Sequence, residues 1–182
     1  MNIFEYAKDK EKYTEQFYRR LAESSKAEGL KNIFNMLADE EAHHFVIIDR
    51  MQSEYPEQVC NTDILGDAKK IFEKIRKAAG KIPTELRGDQ EQILRSNINI
   101  KSTYFGGHEI NVYREAQEFE RKSRQFYLEK ANEVEDRRQK EIFRKLAAEE
   151  QKHYILLDNI IEMVDRPGQW LENPEWFHIE GY

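Results

Sequence analysis

Cysteine is almost missing from this chain: Cys60 stands alone among 182 residues. That excludes a disulfide framework and a Cys-rich zinc or iron–sulfur site held within the chain, and Cys60 itself reads as incidental. Proline occurs four times and glycine eight times, which disfavours a turn-rich sheet protein. No apolar run approaches the roughly 20 residues needed to span a bilayer, so no membrane partner is expected. The opening residues Met1-Asn2-Ile3-Phe4-Glu5-Tyr6 lack the basic start and apolar block of a secretion signal. No basic block stands out against a net charge of −6, which argues against nucleic acid as a partner. A soluble, cytoplasmic protein is the expectation.

What is abundant points one way. Apolar residues make up 39% of the chain and charged residues 35%, the balance of long amphipathic helices, and the length suffices for one well-cored domain over residues 1–182. Four stripes advance in alternating steps of three and four, the spacing of a bundle seam. The first runs Phe4, Ala7, Glu11, Thr14, Tyr18, Leu21 and Ser25, and the second Leu30, Phe34, Leu37, Glu41, His44, Ile48 and Met51. The third runs Tyr113, Ala116, Glu120, Ser123, Tyr127, Lys130 and Val134, and the fourth Phe143, Leu146, Glu150, His153, Leu157, Ile160 and Val164.

The third and fourth stripes copy the first and second. An offset of 109 positions carries Glu11 onto Glu120, Tyr18 onto Tyr127, Glu41 onto Glu150 and His44 onto His153, without a gap from Phe4/Tyr113 to Met51/Ile160. Glu41/His44 and Glu150/His153 are Glu-x-x-His pairs, and residues three apart on a helix share a face with Cβ atoms about 5–6 Å apart. Two antiparallel helices place residues equidistant from their turn at one height. The midpoint between Glu11 and Glu41–His44 falls at about Ala27, within Ser24–Gly29; that between Glu120 and Glu150–His153 falls near Asp136. Each hairpin therefore brings its Glu and its Glu-x-x-His to one level.

A glutamate on each seam, flanked by apolar residues, needs an explanation. Burying an unpaired carboxylate costs several kcal/mol, and like charges nearby add to that. Two divalent cations would cancel four carboxylates, with two imidazoles supplying neutral nitrogens. Six ligands shared by two metals leave coordination positions open, which suits chemistry better than a closed structural site. A Glu from each of two helices with Glu-x-x-His from the other two is the inward set of ferritin-like di-iron or di-manganese bundles.

On Glu11 with Tyr18, Phe34-x-x-Leu37-Ala38-x-x-Glu41-x-x-His44, and Glu120, Tyr127, Glu150 and His153, the chain resembles a ferritin-like di-iron carboxylate protein of the rubrerythrin branch. The resemblance covers the four long segments and implies an all-α, ferritin-like four-helix bundle of two antiparallel hairpins. It implies Glu11 and Glu120 as terminal ligands, Glu41 and Glu150 as bridges, and His44 and His153 as caps. The cofactor implied is two iron ions, with manganese as the alternative and zinc if adventitious. The implied activity is that of an oxidoreductase on hydrogen peroxide or O2.

Two departures qualify the match. Cys60 cannot furnish the four-Cys rubredoxin iron of full rubrerythrins, so electrons would come from an external donor protein. The third-helix Glu-x-x-Glu of the family is also incomplete, with Gln117 and Ser123 on either side of Glu120. A homodimer is the expected assembly. Iron storage or ferroxidation, and a metal-stabilised interaction bundle, stand as competing functions.

Around the ligands, Tyr18 and Tyr127 read as hydrogen-bond donors to ligand carboxylates or as plain core tyrosines. Glu40 and Glu149 read as orienting the histidines or as an exposed face. Asp49 and Asp158 read as solvated, His43 as surface, and His108 and His178 as structural or solvated. Residues 55–110 form the crossover, with a short amphipathic helix on Leu65, Ala68, Ile71, Phe72 and Ile75 closed by Gly80 and Pro83, and a second over 88–100. Residues 166–182, rich in aromatics, read as an ordered strap or a subunit interface.

Overall fold

The computed structural model describes residues 2–53, 63–79, 109–166 and 170. Among the described residues there are five helices and no strand: α1 (Ile3–Ser24), α2 (Glu28–Ser53), α3 (Ile64–Ala79), α4 (Glu109–Glu133) and α5 (Arg137–Asp165). The ends follow local chemistry. Asn2 caps α1 by accepting from the Phe4 backbone N–H, and Asp136 caps α5 by accepting from the N–H groups of Arg138 and Gln139, each satisfying donors that a helix start leaves orphaned. The links between α1 and α2 and between α4 and α5 fall where the midpoints place the turns.

α1 pairs with α2 and α4 with α5, and the two hairpins meet to form the ferritin-like bundle. Every member of the second and fourth stripes is buried, because a period of three and four keeps one face of each helix turned inward. The core divides into two parts. One gathers Phe34, Leu37, Phe72, Tyr113 and Leu157; the other gathers Ile48, Tyr127, Phe143 and Leu146. Between them the stripes carry Glu and His.

The predicted crossover helix is α3, which packs on α2 and α5 through fully buried Ala68 and Phe72. Trp170 meets Phe72 edge-on, ring centroids 6.0 Å apart, so this residue of the aromatic tail rests against the crossover. Gly29 lies inside the first turn of α2 rather than in the turn before it, and Ile75 of α3 presses there. A Cβ on Gly29 would stand 2.8 Å from Ile75 Cδ1. Gly80, Pro83, the second crossover helix over 88–100, Cys60, His108, His178 and most of the tail lie outside the described residues.

Candidate metal centre

Two helical pairs, each a Glu and a His three residues apart, face each other across the bundle, and one glutamate from each of α1 and α4 completes the ring. α1 contributes Glu11, α2 Glu41 and His44, α4 Glu120, and α5 Glu150 and His153, all six buried to 3% exposure or less. Their polar atoms form two groups. Glu11, Glu41, His44 and Glu150 offer atoms within 4.8 Å of one another, and so do Glu41, Glu120, Glu150 and His153. Glu41 and Glu150 belong to both. The imidazole rings of His44 and His153 lie nearly parallel, 5.5 Å between centroids.

The inward atoms approach closely without pairing off. His44 Nδ1 is 3.1 Å from Glu150 Oε1 and 3.5 Å from Glu11 Oε2, and His153 Nδ1 is 2.9 Å from Glu41 Oε1 and 3.6 Å from Glu120 Oε2. Yet Glu11 Oε2, Glu41 Oε1, Glu120 Oε2, both Glu150 oxygens and both Nδ1 atoms are buried without a hydrogen-bond partner. Buried polar atoms are ordinarily satisfied. Orphans on all six residues, aimed at one space, suit a pair of metal ions.

Electrostatics agrees. Burial pushes the Glu41 carboxyl up, with the charges of Glu120 and Glu11 adding to it, to about 7. Burial, then Glu41 and Glu120, holds Glu150 well above the usual carboxylate range. For Glu11 burial also pushes up, but His44 and Glu41 outweigh it and bring the carboxyl down to about 2. Glu120 lies below its usual range because Glu150 and His153 outweigh its burial. Burial opposes charge on the imidazoles, but Glu11 and Glu150 at His44, and Glu120 and Glu40 at His153, lift both well above the usual histidine range. Without metal, protons hold this interior together; a metal would replace them.

The surroundings settle several alternatives. Tyr18 donates to Glu120 Oε1 and Tyr127 to Glu11 Oε1, each across the hairpin boundary, so both are donors to candidate ligand carboxylates rather than plain core. Burial and then the charges of Glu120 and Glu11 respectively raise the two phenols, which stay protonated. His153 Nε2 lies 2.9 Å from Glu40 Oε2, so Glu40 orients a histidine. Glu149 is buried, against the exposed reading, but it accepts from Lys152 rather than meeting a histidine.

Asp49 is exposed and pairs with Lys8, while half-buried Asp158 accepts from Gln117. The side chain in place of a further carboxylate on α4 is thus bonded to α5. His43 is half-buried rather than on the surface, its Nε2 enclosed without a hydrogen-bond partner. Sequence reasoning missed Lys10, whose amine lies 5.6 Å from the ring centroids of both Phe126 and Tyr127. The repeat carries no sign of it, since the matching position is Phe119.

The rubrerythrin family model matches residues 2–161. This chain belongs to the rubrerythrin family. No curated protein and no solved structure matches it. As a rubrerythrin, it has its matched segment running from the cap of α1 to the last turns of α5, and so taking in all six inward residues. The rubrerythrin match accords with di-iron binding, and the clustered carboxylates and imidazoles are groups able to hold metal. Among the described residues no helix is long and apolar enough to cross a membrane.

Proposed function

We propose that the chain is a di-iron oxidoreductase acting on hydrogen peroxide or O2, with electrons supplied by a separate donor protein. The observation that carries this is the pair of four-residue groups sharing Glu41 and Glu150, with unpartnered atoms of all six residues turned into one buried space. Glu11, Glu41, His44 and Glu150 would hold one ion, and Glu41, Glu120, Glu150 and His153 the other. One imidazole against several carboxylates per ion suits iron or manganese. Bound iron would supply one-electron redox steps between ferrous and ferric states.

The chain's own residues prepare the rest. Tyr18 and Tyr127 hold one oxygen of Glu120 and of Glu11, leaving the other oxygen to face inward. The apolar groups on either side, with Phe34 and Tyr113 on one and Phe143 and Leu146 on the other, keep bulk water away. Dry walls strengthen every charge interaction inside. Gln117 bonds to Asp158, so it adds nothing to the six-residue donor set, to which α4 brings Glu120.

Anaerobic titration with Fe(II) should saturate at two equivalents per chain, and peroxide or air, added in separate arms, should each be followed by optical spectroscopy. Rapid oxidation in either arm supports the assignment and tells which oxidant is used. No spectral change in both would remove the redox assignment.

A further inference from the structure

We propose that the two metal positions are unequal, and that Glu40 and Lys152 make them so, an inference that rests on the di-metal reading above. The ligands obey the internal repeat, and so do the tyrosines behind Glu120 and Glu11; the groups behind the histidines do not. His153 has its outer nitrogen, Nε2, 2.9 Å from Glu40 Oε2, and Glu40 is only 12% exposed. A carboxylate on that outer N–H fixes the tautomer, points Nδ1 at the ligand oxygens and makes the imidazole a stronger donor. The repeat would give His44 the same support from Glu149, which stands 109 positions after Glu40.

That support is diverted. Both Glu149 oxygens accept from Lys152 Nζ, at 2.9 and 3.0 Å, one helical turn along α5. Lys152 occupies the position where the first repeat has His43. A cation beside Glu149 on the same helix holds its carboxylate there and neutralises it. Glu40 also lies within 4.8 Å of a His44 nitrogen, but of the two histidines it is His153 that it meets at 2.9 Å. Glu40 is therefore a positioning residue for one half-site, and Lys152 withdraws the equivalent residue from the other. The position built on Glu41, Glu120, Glu150 and His153 binds more tightly and fills first.

The test uses the full chain, stripped of metal and titrated anaerobically with Co(II), with affinities set by chelator competition and followed by visible absorption. Two steps separated by about 10- to 100-fold are expected, the usual weight of such outer partners. Glu40→Ala should weaken the tighter step by that factor and leave the weaker one in place, while Glu40→Gln, which keeps an acceptor oxygen, should restore part of the loss. Lys152→Met should tighten the weaker step and narrow the gap. In the Zn(II)-loaded protein, proton NMR should show a slowly exchanging His153 Nε2–H that Glu40→Ala removes. Two equal steps in the wild type, or a Glu40→Ala change that weakens both alike, would overturn the inequivalence alone. Fewer than two Co(II) bound by the wild type would overturn the di-metal reading with it.

Discussion

Glu150 carries the sharpest conflict at the level of single residues: fully buried, both oxygens unpartnered, and crowded by Glu41 and Glu120. Replacing it with the isosteric amide removes a charge the metal-free interior tolerates poorly. Glu150→Gln is expected to stabilise the metal-free protein at pH 8 by about 1–3 kcal/mol, read by urea denaturation in chelator, while metal stoichiometry falls below two. A metal-free Glu150→Gln less stable than the wild type would argue against a crowded carboxylate cluster. Tyr18 and Tyr127 have the opposite sign. Each phenol satisfies a buried carboxylate oxygen across the hairpin boundary, so Tyr18→Phe and Tyr127→Phe should each cost about 1–3 kcal/mol. The same urea experiment measures this, and wild-type values would mean the bonds are idle.

Among the elements, α3 stands apart, because it supplies no inward polar residue and yet covers α2 and α5. Its hold is apolar: Phe72 fully buried, Trp170 against its ring, Ile71 and Ile75 over Gly29. Phe72→Ala should cost about 3–5 kcal/mol of stability while two metal equivalents still bind, since all six candidate ligands lie on the other four helices. Elemental analysis after gel filtration would check the second part; lost stoichiometry would show that α3 shapes the centre as well as covering it. The two hairpins are also held by polar contacts. They are joined by ligand-level contacts and by the crossed tyrosines, which tie α1 to α4 in both directions.

For the molecule as a whole, the same six residues give stability a pH dependence whose sign metal reverses. The raised His44, His153, Glu41 and Glu150 bind more protons folded than unfolded. Their contribution to metal-free stability is complete below their unfolded values, and it is lost as pH rises through the folded ones, about 7 for Glu41. Glu11 and Glu120, both lowered, work in reverse: their contribution is present above the unfolded value and lost as pH falls through the folded one, about 2 for Glu11. The metal-free protein should therefore be most stable near pH 5. Its Tm should drop by roughly 5–10 °C on going to pH 8. The metal-loaded protein should gain stability over that range, because ions displace the protons and bind better as pH rises. Calorimetry of both forms across that range decides it; parallel curves would sink the idea that protons and metal compete for one interior.

How much of this was legible beforehand depends on which physics carries each feature. Periodicity within one helix is local, so the stripes, both turns and the six inward residues could be read from spacing and from the 109-residue repeat. α3 was visible for the same reason. The partners across helices were not. Whether Glu40 or Glu149 reaches a histidine depends on how the hairpins are set against each other and on a lysine one turn from Glu149. That Tyr18 meets Glu120 rather than Glu11 is likewise a matter of packing between hairpins. Gly29 is spaced like part of a turn, and only Ile75 pressing from α3 shows why a residue without a Cβ stands there inside a helix. The sequence by itself determined which residues face inward and that their charge needs cations, because helical period and the cost of burying carboxylates are properties of the chain. Only the tertiary structure decided which groups stand behind the ligands, because contacts between helices depend on relative placement that no single helix encodes.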